Sequence, residues 1–197
     1  MVGAVLTQNT AWSNVERAID NLRAAGALDP RHIAGMEPGR LGELLRPSGY
    51  FNVKAKRLQA FCRWYLEEGG LEALRQLPDG ELRRRLLSVH GIGPETADDI
   101  LLYAFDRPIF VIDAYTRRLF SRLGLISGDE GYEELRGWFE RHLGPDVALY
   151  NDYHAQIVVQ AKEVCRPRPR CEACCLRRVC EYRTTEARRR SVTGTPD

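Results

Sequence analysis

The chain has 197 residues, 44% of them hydrophobic and 28% charged, enough for one large domain or two small lobes around a buried core. That profile excludes a disordered or collagen-like polypeptide. No apolar run reaches the roughly 18 residues of a membrane span, and the first residues lack the pattern of an export signal, so a cytoplasmic location and no membrane partner are expected.

The net charge is only +2, but it is unevenly spread. Residues 166–190 hold nine Arg against three Glu, a balance of +6, whereas residues 1–165 balance at −3. A basic segment on a mildly acidic body points to a polyanion contact. The chain has three lysines, Lys54, Lys56 and Lys162, so few side-chain amines are available for covalent chemistry.

In chain order, residues 2–8 carry the pattern of the later part of an amphipathic helix with no cap ahead of it. This suggests a very short first helix, or a start inside a longer gene product. Leu41, Leu44 and Leu45, and again Leu82, Leu86 and Leu87, recur at helical spacing. Pro and Gly punctuate the chain at 28–30, 37–39, 47–49, 78–80 and 144–146. Strand patterns are nearly absent, so the expectation is an all-α protein of about eight to ten short helices. Residues 191–197 read as a disordered tail.

The segment 86–97, Leu-Leu-Ser-Val-His-Gly-Ile-Gly-Pro-Glu-Thr-Ala, carries the most information in the first half. One helix is expected to end near Val89. Gly91 and Gly93 permit the positive φ of a sharp reversal. Pro94 suits the first position of a second helix running through Leu101 and Leu102. Such a helix-hairpin-helix presents backbone N–H groups of His90, Gly91, Ile92 and Gly93 to an anion. It would grip a DNA phosphate without reading sequence; an ordinary αα-corner is the alternative. Further on, an apolar extended stretch delivers Asp113 to the start of another helix, where Asp is a favoured N-cap.

Five of the six cysteines fall between residues 165 and 180, in the order Cys165-x5-Cys171-x2-Cys174-x5-Cys180 with Cys175 as an extra thiol. Without an export signal, that clustering argues for metal ligation over disulfides. Four thiolates so placed suit a [4Fe–4S] cluster or a four-cysteine zinc site; one short knuckle between two longer gaps favours the cluster. Arg166, Arg168 and Arg170, on a loop stiffened by Pro167 and Pro169, are placed to meet phosphates or form a solvated basic loop.

Taken in order, Leu6-Thr7-Gln8-Asn9-Thr10, Gly49-Tyr50-Phe51-Asn52-Val53-Lys54-Ala55, the hairpin, Val111-Ile112-Asp113 and the terminal cysteines resemble the endonuclease III family of base-excision-repair DNA glycosylases. The resemblance covers residues 1 to about 182. It implies a two-lobed all-α fold with a DNA-binding cleft between the lobes. One lobe, 1–107, would be a helical bundle carrying the hairpin, its first helix truncated. The other, 108–190, would carry the [4Fe–4S] cluster. The implied partner is double-stranded DNA with damaged bases, bound by a monomer at the nucleoid, with the damaged nucleotide flipped out of the duplex.

By position, Asp113 resembles the family's essential carboxylate, which stabilises oxocarbenium-like charge and helps orient or deprotonate the nucleophile. Gln8 falls where members insert a side chain into the gap left by the flipped base; a polar helix-end residue is the alternative. His154, in a further matching segment, is expected to be a buried, hydrogen-bonded histidine and not a catalytic one.

The departures from the family pattern are equally informative. Bifunctional members place a lysine two residues after the second hairpin glycine, where it attacks the sugar as a Schiff-base nucleophile. Here that position is Glu95, which forms no imine and suits the first turn of a helix. The implied enzyme is therefore monofunctional: water attacks, the base leaves, and an abasic site remains. The segments 6–12, 93–98 and 150–155 are most similar to the 3-methyladenine glycosylase branch, which removes alkylated, often cationic, purines. Trp12 is the candidate face for stacking and cation–π attraction in the base pocket, with core packing as its alternative. The mismatch-adenine branch uses an acidic residue a few positions before the Gln element, where this chain has Ala4. The first cysteine gap is five residues where the family usually has six. The competing readings are a bifunctional glycosylase/AP lyase acting on oxidised pyrimidines through Lys54, Lys56, Lys162 or the terminal amine, a non-catalytic Fe–S DNA-binding protein, and a zinc-stabilised interaction domain.

Overall fold

The computed structural model describes residues 1–184; the expected tail at 191–197 and the end of the 108–190 lobe lie outside them. Residues 1–180 form eleven α-helices and two 3-10 turns, residues 181–184 are helical as well, and the described residues hold no strand. The very short first helix is Val2–Leu6, and the count exceeds the sequence expectation because Pro30–Gly35 and Gly70–Arg75 are separate short helices. The chain divides into two compact units, Met1–Arg107 and Pro108 onward.

The first unit holds α1 (Val2–Leu6), α2 (Trp12–Ala24), α3 (Pro30–Gly35), α4 (Pro38–Leu45), α5 (Phe51–Glu67), α6 (Gly70–Arg75), α7 (Asp79–Leu87) and α8 (Pro94–Phe105). Two of its starts share one device. Asp29 and Glu37 accept hydrogen bonds from the first N–H groups of α3 and α4, and a proline follows each, which satisfies orphan donors and presets φ. The long α5 lies at the centre, packed against α1, α3 and α4. Val5, Leu22, Leu41, Leu45, Leu58, Leu82, Leu86 and Leu101 are buried in this unit's core.

The second unit holds α9 (Ala114–Leu123), α10 (Tyr132–Leu143) and α11 (Val147–Glu163), then the cysteine-rich loop with its 3-10 turn Cys171–Ala173. Its core is aromatic: Phe110 stacks on Phe139 at 4.4 Å between centroids, and Phe120 meets Phe139 edge-on at 4.7 Å. Residues 108–113 belong to no helix or sheet, and Asp113 itself is in extended backbone at φ −108, ψ 179. Buried backbone polar groups need partners, and α10 supplies them: Phe110 N donates to Glu140 Oε1 at 3.1 Å, and Ile112 N lies 3.5 Å from the Tyr132 hydroxyl. These bonds hold the stretch that leads to Asp113 at the start of α9.

Candidate active site

The hairpin forms as α7, a turn over 88–93, and α8. The first helix ends at Leu87, two residues before the expected Val89, with Ser88 as its C-cap. Gly91 sits at φ +87 and Ile92 N closes the turn on Val89 O at 3.0 Å. Gly93 corrects the sequence expectation: it caps α8 in extended backbone at φ −95, ψ 178, open to any residue. A Cβ there would meet no atom within 4 Å, so the bare backbone at Gly93 leaves room for a close-approaching ligand. His90 and Gly93 are exposed, and Ile92 is buried and anchors the turn. Glu95 is exposed in the first turn of α8.

The two helices of the hairpin are clamped by a bidentate pair. Arg83 Nε and Nη2 donate to Asp98 Oδ1 and Oδ2 at 2.6 and 3.1 Å, and Asp98 is wholly buried.

Gln8 is held against this turn. Its Nε2 donates to Gly91 O at 3.1 Å and to Thr96 Oγ1 at 2.9 Å, and its Oε1 accepts from Arg57 Nη1. Nearby, the fully buried Lys54 donates to Leu6 O at 2.9 Å and Ser48 O at 2.6 Å. Burial, helped by Arg57, pulls its pKa down to about 8. Its ammonium is directed at two carbonyls inside the core, whereas Lys56 and Lys162 are exposed.

Trp12 begins α2 with half its surface exposed, its ring edge lying over Gly3, where an added Cβ would come within 3.0 Å of it. The ring is therefore partly in solvent and partly packed over α1. Tyr50, which sequence reasoning passed over, is 73% exposed at the start of α5 with φ 46. A left-handed backbone at a bulky residue is costly and marks functional positions; only its neighbour Gly49 hinted at the turn.

In the second unit Asp113 caps α9. Its Oδ1 accepts from Thr116 N at 2.7 Å and Thr116 Oγ1 at 2.8 Å. Its Oδ2 lies 3.5 Å from His154 Nε2, long for a hydrogen bond but within ion-pair reach. Burial alone would raise the Asp113 pKa. The His154 ring and the two Thr116 donors outweigh it and hold the carboxyl below its usual range. The result is an ionised carboxylate fixed by one oxygen, its other oxygen turned to a buried histidine.

The four expected cysteine ligands lie on one loop beyond α11. Cys165 is buried, Cys171, Cys174 and Cys180 are half-buried, and Cys175 is exposed. Among the described residues no group of three or more His, Cys, Asp or Glu stands close enough to hold a single metal ion. The thiols nevertheless feel one another: burial first, then Cys180, Cys174 and Cys165, raise the Cys171 pKa against the pull of Arg183. Arg122 Nη1 donates to Cys165 Sγ at 3.4 Å and Gln160 Nε2 to Cys174 Sγ at 3.1 Å, contacts that favour thiolates. Arg122 also binds Arg166 O at 2.6 Å and Pro167 O at 3.0 Å, which pins the loop carrying the exposed Arg166, Arg168 and Arg170. By contrast Cys62, in the first unit, is an inert core thiol with its pKa pushed up to about 12 by burial.

Residues 2–145 match the family model of HhH-GPD superfamily base excision DNA repair proteins. The chain belongs to that superfamily. This HhH-GPD protein is 45% identical, over 91% of its own length and 83% of the relative's, to a protein of Methanocaldococcus jannaschii assigned to the DNA repair glycosylases. It is 28% identical to endonuclease III of Thermotoga maritima, covering 92% of this chain and 81% of that one. Its fold is similar to that of the 3-methyladenine DNA glycosylase MagIII of H. pylori bound to 1,N6-ethenoadenine, with a TM-score of 0.72 and 33% identity over 82% of this chain and 83% of that one. It is also similar to endonuclease III in a non-covalent DNA complex, with a TM-score of 0.81 and 20% identity over 95% and 84% of the two chains. No helix among the described residues is long and apolar enough to cross a membrane.

Proposed function

We propose that this HhH-GPD glycosylase removes alkylated purines from duplex DNA with water as the nucleophile and leaves the strand intact. The observation that carries the reading is Glu95. A carboxylate occupies the position where bifunctional members of the resembled family hold their lysine, and the ammonium of the buried Lys54 is directed at two carbonyls.

The chemistry follows from Asp113. As the glycosidic C1′–N bond breaks, its electron pair leaves with the base, and positive charge develops on the deoxyribose. An ionised carboxylate fixed at the N-terminus of α9 stabilises that charge. Water then forms the new C1′–O bond, and Asp113 accepts or directs its proton. An alkylated cationic purine departs as a neutral base, so no separate general acid is required. MagIII, 33% identical, was solved with 1,N6-ethenoadenine, which supports a purine ligand, and the half-exposed Trp12 ring offers a stacking face. The hairpin turn binds a backbone phosphate, Gln8 and the exposed Tyr50 ring meet the disrupted stack, and the Arg166–Arg170 loop adds phosphate contacts. Cys165, Cys171, Cys174 and Cys180 would hold a [4Fe–4S] cluster. When bound, it cross-links the loop and contributes folding free energy.

The test is a paired assay on duplexes carrying a single 3-methyladenine-type, thymine-glycol or abasic lesion, read with and without hot alkali. Alkylpurine strands are expected to break only after alkali, and borohydride to trap no covalent adduct. Breakage without alkali would overturn the monofunctional reading. Asp113→Asn, which still caps α9, is expected to slow excision by about 10²–10⁴-fold while binding to an abasic analogue persists. Undiminished excision would remove Asp113 from the chemistry.

A further inference from the structure

The three partners of Gln8 close a ring. Arg57 Nη1 donates to Gln8 Oε1, while Gln8 Nε2 donates to Gly91 O at 3.1 Å and Thr96 Oγ1 at 2.9 Å. The ring closes through packing: a Cβ on Gly91 would clash with Arg57 Cγ and Cδ, so the arginine stem fills the space beside the turn's glycine. Gln8 thereby uses its carbonyl and both amide hydrogens, and the network fixes which end of the amide faces which way. The same helix, α5, holds the backbone just before Gln8 through Lys54 and Leu6 O.

We propose that Arg57 is a positioning residue that latches Gln8 onto the hairpin turn, so that the side chain assigned to the DNA gap and the turn assigned to the phosphate act as one preorganised unit. This rests on the glycosylase reading of Gln8 and the hairpin. The physical content is orientational. Without Arg57, the Gln8 amide loses a charged donor, and the cost of ordering its side chain falls at the moment of insertion. The latch is local to unit 1 and needs no chemistry at Asp113, so it can be read by binding alone.

The experiment measures binding of the full chain to a duplex with one tetrahydrofuran abasic analogue and to the same duplex undamaged. Gln8→Ala and Arg57→Ala are each expected to weaken abasic-site binding about tenfold, as expected from losing one charge-assisted hydrogen bond. Binding to the undamaged duplex, which has no gap for Gln8 to enter, should weaken by less than abasic-site binding does. The double variant should lose no more than either single one, because the pair acts as a unit. Arg57→Lys should recover only part of the loss, since a point charge does not reproduce the guanidinium fork. Thr96→Val, which removes a partner of Gln8 without touching α5, should show the same lesion-specific loss and serves if Arg57→Ala misfolds. If Arg57→Ala weakens both duplexes alike and adds to Gln8→Ala, Arg57 is a phosphate contact and the latch is wrong. No change on the abasic duplex would also overturn it. A wild-type protein that fails to prefer the abasic duplex would remove the Gln8 reading and the latch together, whereas additive variants in a discriminating wild type remove the latch alone.

Discussion

Lys54 shows how much a single residue can hide in a sequence. Nothing in its neighbours marks it as buried, yet it ties the end of α1 to the 3-10 turn Arg46–Ser48. An ammonium near helix C-terminal carbonyls is favourable, but burial wins, and its pKa falls from 10.5 to about 8. Below pH 8 both folded and unfolded chains carry the proton, and the folded state bears the full penalty. Between pH 8 and 10.5 the unfolded chain binds more protons than the folded one, so this group's contribution to stability rises with pH. The raised Cys62 thiol works in the opposite sense over part of that range. The clean readout is therefore the difference between wild type and Lys54→Met in denaturant titrations. That difference should shift in favour of the wild type from pH 8 to 10.5, and a flat difference would show that Lys54 does not titrate there. Asp113 was half legible by comparison. Its capping role is local and visible in the sequence, whereas its second oxygen meets His154, 41 positions on, and that meeting depends on how α11 packs against α9.

At the scale of elements, the hairpin depends on a pair that no local pattern announces. Gly91, Gly93 and Pro94 are short-range signals and placed the turn correctly. Arg83 and Asp98 are 15 residues apart and become partners only when α7 and α8 close. Asp98 is wholly buried and the Arg83 side chain is 14% exposed, and removing the carboxylate takes away the two bonds that tie α7 to α8. Asp98→Asn is therefore expected to cost about 3–5 kcal/mol of stability in urea unfolding. Replacing both residues with apolar ones of similar volume should recover most of that loss. A single-variant cost below about 1 kcal/mol would mean the clamp is not what holds the helices. The eleven helices outnumber the expected ones for a related reason. Short pieces such as α3 and α6 are too short to show a 3.6-residue period and are stabilised by packing on α5. Gly93 was misjudged because sequence shows that a glycine is present without showing whether φ or a close approach demands it.

For the whole molecule, the informative quantity was where the charge sits. A net charge of +2 hides a basic segment whose Arg166, Arg168 and Arg170 all remain exposed. Their loop is pinned from below: Arg122 binds Arg166 O and Pro167 O, and Arg118 binds Cys165 O at 2.9 Å. Two arginines of α9 thus spend their donors on carbonyls, which leaves the loop's own guanidiniums facing solvent in a stiff frame. Each phosphate neutralised by such a side chain releases a counterion, so log K falls against log salt with a slope near −0.9 per contact. Changing Arg166, Arg168 and Arg170 together to Gln should therefore reduce the magnitude of the salt slope by about 2 to 3, measured on undamaged duplex by fluorescence anisotropy. The weakening should be nearly the same on abasic and undamaged DNA, because phosphate contacts carry no lesion information. The Arg57 variants are expected to behave in the opposite way, lesion-specific and with an unchanged salt slope. An unaltered slope in the triple variant would make the loop a solvated one and move the polyanion contact to the hairpin alone.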